Sequence, residues 1–332
     1  MTQLPKLEPG TTVGQLGEFG LLPYVLERLS EPASGSLSGA APGPVSGPVV
    51  GPGDDAAVLD IDGRVVVSTD LLVEGKHFRT DWSEAVDIGH KAAAQNLADI
   101  CAMGACPTAL TVGLGLPADT HVAWVLDLAS GLAEECTPLG VTVVGGDLTA
   151  SGQIVVAVTA LGTLAGPPVT RTGAAPGDIV ALAGRQGWAA AGLAVLGRGF
   201  RSPRAVVEAH RRPNPPYAAG TEAYALGATA MIDVSDGLVA DVGHIARGSG
   251  VVIDLDSAVL EVPEPLKAVA AATGVDPLTF ILGGGEDHCL VATFPADTAL
   301  PDSWRRIGTV LVGAGVTVDG VAYDGPVGHQ HF

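Results

Sequence analysis

Short aliphatic, β-branched runs alternate along this chain with segments whose apolar residues recur at helical spacing. That alternation constrains the fold more than any other feature. Strand-like runs fall at 64–68, 108–116, 141–144, 154–164, 179–183, 231–234 and 251–255, and again near 289–294, 307–312 and 316–323. Helical spacing covers 18–29, 83–102 with Ser83 as N-cap, 121–136, 188–196, 204–210, 216–227, 237–247 and 263–273. The Asp319-Gly320 pair marks a hairpin turn in the last stretch. A turn-rich segment, GPPVTRTGAAPGD, breaks the pattern near 165–177. The reading is two α+β domains, and 332 residues give room for both.

Residues 30–48 are almost all Ser, Gly, Ala and Pro, can bury little, and read as a flexible linker. This divides the chain into a helical segment at 1–29, the linker, an N-terminal domain at 49–165 and a C-terminal domain at 170–332. Hydrophobic residues make up 47% of the sequence, enough for a sizeable core. A net charge of −19 opposes nucleic-acid phosphates and anionic lipid, so neither nucleic acid nor membrane is expected as a partner. The start of the chain has no apolar signal segment, and no run reaches the length of a membrane span. Cys101, Cys106, Cys136 and Cys289 form no CxxC pair, which argues against zinc and against a disulfide framework. Cys101 and Cys136 fall in helical patterns, as packed apolar residues would. The expected location is the cytoplasm.

Common signatures are missing: no GxxxxGK[ST], protein-kinase set, GxSxG, HExxH or strand-linked GxGxxG occurs. What remains is a series of isolated acids beside glycine or at the ends of apolar runs. They are Asp54, Asp55, Asp70, Asp99, Asp147, Asp233 and Asp236, with Glu286 and Asp287 in LGGGEDHCL. Each alone could be a helix cap or turn former. Together, with few lysines nearby, carboxylates on separate elements need cations to offset their repulsion, and hard Mg²⁺ with oxygen ligands answers that need. Ser68, Thr69, Thr149 and Ser235 add oxygen donors, and the glycine runs at 145–146 and 283–285 let backbone N–H groups approach phosphate. This chemistry fits a Mg²⁺–polyphosphate site built without a P-loop, and nearly as well a Mg²⁺-dependent phosphohydrolase.

Seven segments in order resemble the thiamine-monophosphate kinase family: GDDAA (53–57), STDLLVEGKHF (68–78), KAAAQNLADICAMGACP (91–107), GGDLT (145–149), TRTGAAPGD (170–178), IDVSDGL (232–238) and GGGEDHCL (283–290). The family belongs to a superfamily that includes aminoimidazole ribonucleotide synthetase. The resemblance implies two α+β domains of that type, an N-terminal mixed sheet with helices and a C-terminal α/β sandwich. It also implies a homodimer formed through the N-terminal sheets, with ATP as co-substrate on several Mg²⁺ ions. The activity implied is transfer of the γ-phosphoryl group of ATP to thiamine monophosphate, giving thiamine diphosphate. By the same resemblance Asp55, Ser68, Thr69, Asp70, Asp99, Asp147, Asp233 and Asp236 are metal ligands, Asp55 being chosen over Asp54 by register. Gly146, Asp147, Arg171 and Ser235 contact ATP, while His77, Glu286 and His329 contact the thiamine substrate. Asn96, three residues before Asp99 on one helix face, either orients that carboxylate or covers surface, and is left out of the site.

One departure lies at the end of the chain. GHQHF places His329 where the family carries a large aromatic, which bears on substrate affinity rather than on the reaction. No general base is assigned, because a phosphate monoester is largely a dianion near pH 7. The alternatives are another ATP-dependent enzyme of the superfamily, resembling aminoimidazole ribonucleotide synthetase, or a non-catalytic Mg-nucleotide sensor.

Overall fold

The computed structural model describes residues 4–30, 48–52, 56–326 and 328. The chain forms two compact units, Met1–Asn96 with Pro107–Thr163, and Leu97–Cys106 with Leu164–Phe332. The segment 97–106 therefore groups with the second unit, although it lies within 49–165.

The first unit holds α1 (Val13–Leu16), α2 (Glu18–Ser30), β1 (Arg64–Val73), most of α3 (Ala85–Ala102), β2 (Cys106–Leu116), α4 (Val122–Cys136), β3 (Thr142–Ala150) and β4 (Val155–Leu164). Its sheet runs β1-β4-β2-β3, and β2 and β3 are parallel, joined by α4 as such a pair requires. The helix read at 18–29 is α2, which packs on α4 and so belongs to this unit. Helices α3 and α4 meet backbone to backbone. A Cβ on Gly89 would strike the Leu128 carbonyl, and one on Gly131 the Val86 carbonyl.

Strands β1 and β3 run past the 64–68 and 141–144 read from apolar content. Both are edge strands, and the apolar run stops before the strand does: Ser68, Thr69 and Asp70 interrupt it in β1, and Gly145, Gly146 and Asp147 in β3. Ser83 does not cap α3. The Glu84 N–H donates to Asp87 Oδ2 at 3.2 Å, half of a capping box one residue later than expected.

The second unit holds the last turn of α3 with β5 (Ile179–Ala183), α5 (Trp188–Leu196), α6 (Arg204–Arg211), α7 (Tyr217–Ala225), β6 (Ala230–Val234), α8 (Leu238–Ser249) and β7 (Val251–Leu255). It continues with α9 (Glu264–Thr273), α10 (Leu278–Gly283), β8 (Cys289–Phe294), β9 (Trp304–Val312), β10 (Gly315–Val318) and β11 (Val321–Ala322). The sheet order is β11-β10-β7-β9-β5-β8-β6, with β10 parallel to β7 and the other pairs antiparallel. Every residue of β5, β6 and β8 is buried, the mark of strands covered on both faces. One face packs Ile179, Ala181, Met231 and Phe294 against α7 and the end of α3, with Phe294 edge-on to Trp304 at 5.3 Å. Helix α8 contacts β6, β7 and β10.

The hairpin at Asp319-Gly320 is present and splits the stretch 316–323 into β10 and β11, with Asp319 at φ 54°. Helix α10 has no counterpart in the sequence reading. It is short, and Asp276 starts it by accepting the Leu278 N–H at 2.9 Å. All four cysteines are free, and burial pushes the thiols of Cys101, Cys136 and Cys289 far up, leaving them unreactive. No helix among the described residues is long and apolar enough to cross a membrane.

Candidate functional site

In the first unit Asp70 stands within β1 and Asp147 within β3, on the two opposite edges of the sheet. Each follows an apolar run in the sequence, yet neither ends its strand. Asp70 is half-buried and Asp147 exposed. The Asp70 N–H, on an edge strand, donates to Oδ1 of Asn96 at 3.1 Å, and Asn96 returns Nδ2 to the Ala92 carbonyl at 2.9 Å. Asn96 is wholly buried. Its role is to fasten β1 to α3, and it covers no surface. Thr69 shares a hydroxyl hydrogen bond of 2.9 Å with Thr159 of β4, and Ser68 is half-buried beside it.

Strand β1 ends in a tight turn that fixes His77. The Val73 N–H donates to His77 Nδ1 at 3.0 Å, so the imidazole presents Nε2–H as its donor. Gly146 has a structural reason of its own, since a Cβ there would meet the Val112 carbonyl of the neighbouring strand. A cavity of about 430 Å³ opens between α2, α4 and β3. Its walls include Leu22, Val25, Leu128 and Leu132, and Gly146 and Asp147 also line it.

In the second unit the acids are held differently. Asp233 is the fourth residue of β6 and buried, with its Oδ2 at 3.1 Å from Nδ1 of His288. Burial lowers the pKa of His288, but the hydrogen bond and charge of Asp233, with Asp99 and Glu286, outweigh it and the net shift is upward. Asp236 follows β6, and its N–H and that of Gly237 both donate to Oδ2 of Asp241 at 3.0 Å. Burial raises Asp241 to about 7. The loop 284–288 is stitched onto this segment: Glu286 N–H donates to the Ser235 carbonyl at 2.8 Å and His288 N–H to the Val234 carbonyl at 3.1 Å. Gly285 passes so close that a Cβ would strike the Ser235 carbonyl. Glu286 and His288 both adopt left-handed φ, 65° and 52°.

Glu286 Oε2 lies 3.1 Å from Nδ1 of the buried His210 of α6. Asp287 turns the other way: its Oδ1 accepts the Ala189 N–H at 3.0 Å at the start of α5, and burial raises its pKa to about 7. Gln186 ties the same loop down by donating to the carbonyls of Ile281 and Gly284 at 2.8 and 2.6 Å. Arg171 is exposed on a loop whose Gly173 and Ala174 N–H groups donate to Ser249 Oγ at 3.1 and 3.2 Å.

The structure thus ties Glu286 to the Ser235 carbonyl through its N–H and sets His288 against Asp233, with the charge of Asp99 acting on His288. It brings no three His, Cys, Asp or Glu side chains into a group able to hold an ion among the described residues. Asp54, Asp55 and His329 lie outside those residues. Sequence reasoning missed His210, Asp241 and His288, and it weighed Asn96 against Asp99 where the structure pairs it with the Asp70 N–H. Only Asn96 and His288 carried a signal, as polar residues inside otherwise recognisable motifs.

A family described as "AIR synthase related protein, N-terminal domain" matches residues 53–164. A thiamine-monophosphate kinase of Mycobacterium tuberculosis (strain CDC 1551 / Oshkosh) is 47% identical over 97% of this chain and 93% of its own length. One from Corynebacterium glutamicum is 41% identical over 92% of this chain and 89% of its own. Among solved structures, AaThiL complexed with AMPPCP and TMP superposes with a TM-score of 0.77 at 31% identity, covering 98% of this chain and 100% of that one.

Proposed function

This chain belongs to the thiamine-monophosphate kinase family, and from that premise we propose that it transfers the γ-phosphoryl group of ATP to thiamine monophosphate, releasing thiamine diphosphate and ADP. The observation that carries the reading is likeness to curated kinases running through both units.

The cation we propose is Mg²⁺. The donor set fits a hard ion: Ser68, Thr69, Asp70 and Asp147 in the first unit, Asp99, Asp233 and Asp236 in the second, with Asp55 added by register, all offer oxygen. When bound, Mg²⁺ neutralises charge on the β- and γ-phosphates of the nucleotide. The chain itself binds and aligns. Gly146, Asp147, Arg171 and Ser235 hold ATP, and the exposed Arg171 guanidinium offers a forked donor to phosphate. His77 offers Nε2 as a donor to thiamine monophosphate, and Glu286, beside His210, offers a carboxylate to its cationic ring; His329, outside the described residues, keeps the substrate role that the resemblance implies. The acceptor phosphate is largely a dianion near pH 7, so no side chain need remove a proton. Catalysis is then positioning and charge stabilisation.

The working form proposed is a cytoplasmic homodimer. Its support is the alternation of exposed Val65, Val67 and Leu71 along edge strand β1, an apolar stripe suited to a second copy. The decisive experiment incubates the protein with MgATP and thiamine monophosphate and looks for thiamine diphosphate. Its appearance in proportion to ADP is the expected result. Nucleotide binding without product would instead favour the non-catalytic sensor.

A further inference from the structure

We propose that His288 is a positioning residue that fixes the carboxylate of Asp233 for a magnesium ion. This rests on the reading of Asp233 as a ligand. Asp233 is 3% exposed and His288 6%, so the pair meets out of reach of bulk water. A carboxylate buried on a strand has two oxygens, and His288 Nδ1 engages only one of them, Oδ2, at 3.1 Å. That contact fixes the rotation of the group and leaves Oδ1 for a cation, as outer partners of ligating carboxylates do.

The backbone is built to deliver this contact. Residue 288 takes φ 52°, uncommon outside glycine, and is held there by its own N–H to the Val234 carbonyl and by the Glu286 N–H to the Ser235 carbonyl. Gly285 permits the approach. The loop thus spends two left-handed residues on placing one imidazole against one carboxylate. Of the acids whose charge acts on His288, namely Asp233, Asp99 and Glu286, Asp233 is the one within hydrogen-bond distance of the imidazole.

A merely structural pair would tie the loop to β6 and influence stability alone. Isothermal titration calorimetry of MgCl₂ into the full chain with AMPPCP separates the two roles. His288→Asn keeps an N–H near the place of Nδ1, His288→Leu removes it, and His288→Gln carries it one bond too far. The expected result is Mg²⁺ affinity within about 3-fold of wild type for the Asn variant and about tenfold or more weaker for the Leu and Gln variants. Should the Leu variant not fold, the contrast between Asn and Gln carries the test. Equal Mg²⁺ affinity in all three overturns the role of His288. Asp233→Asn is the control: unchanged Mg²⁺ affinity there overturns the ligand reading itself. Lost affinity there with unaffected His288 variants overturns only the positioning role.

Discussion

The two units handle their acids in opposite ways. In the first, Asp70 and Asp147 stand half-buried or exposed on edge strands, where water solvates a carboxylate at little cost. In the second, Asp233, Asp241 and Asp287 are buried, and each leans on a specific neighbour: His288, the N–H groups of residues 236 and 237, or the start of α5. An exposed acid can change with little effect on the fold. A buried acid binds function to stability, because the partner that aims it also holds the loop.

The sharpest way to break this contrast is Asp70→Asn. Turnover should fall at least about 100-fold, roughly 2.7 kcal/mol of barrier, while thermal melting stays near wild type. A steady-state assay beside a melting curve checks it, and full activity at limiting Mg²⁺ would remove Asp70 from the ligand set. Gly285→Ala should act on the second unit in the reverse sense, costing about 2 kcal/mol or more of stability because its Cβ meets the Ser235 carbonyl. Denaturant titration reads that loss, and an unchanged midpoint would mean the loop is not stitched as described.

Next comes pH. Burial holds Asp287 protonated up to about 7 in the folded chain, against an ordinary value of 3.8. Between those values the native state binds one more proton than the unfolded one. Stability is therefore full below the unfolded pKa and declines as pH rises through about 7, by up to about 1.4 kcal/mol per pH unit from this group. Asp287→Asn should flatten that decline in melts taken from pH 5 to 8, and an unaltered slope would reassign it to Asp241. Smallest of all is Thr69→Val, which removes an exposed hydroxyl bond to Thr159 and should change stability by less than about 1 kcal/mol. If Thr69 serves Mg²⁺, the same variant raises the Mg²⁺ concentration needed for half activity. An unmoved Mg²⁺ dependence would leave Thr69 to Thr159 alone.

The same contrast governed what the sequence made legible. Strands β5, β7 and β8 are apolar through most or all of their length, and their limits match the apolar runs residue for residue. Strands β1 and β3 hide their second halves because Ser68, Thr69 and Asp70 in the one, and Gly145, Gly146 and Asp147 in the other, break the apolar run. Asp319-Gly320 was legible because a two-residue turn is a local device. The partners of Asn96 and His288 were not, because Asp70 and Asp233 are 26 and 55 residues away in sequence. Residue types and Mg²⁺ chemistry marked the acids as a set. Only the likeness to a kinase family distributed roles among them.

Helix α3 carries a consequence for anyone who would work with half of this protein. Its residues through Asn96 serve one unit, and from Leu97 onward they serve the other, where Cys101 and Ala102 fill the core beside β5. A fragment beginning at Leu164 would start life with a hole where those side chains belong. The complementary fragment would present them, and the apolar end of a helix, to solvent. Neither piece is an autonomous module, so expression trials that cut at the apparent boundary should yield insoluble material, whereas the two pieces produced together retain the means to complement each other.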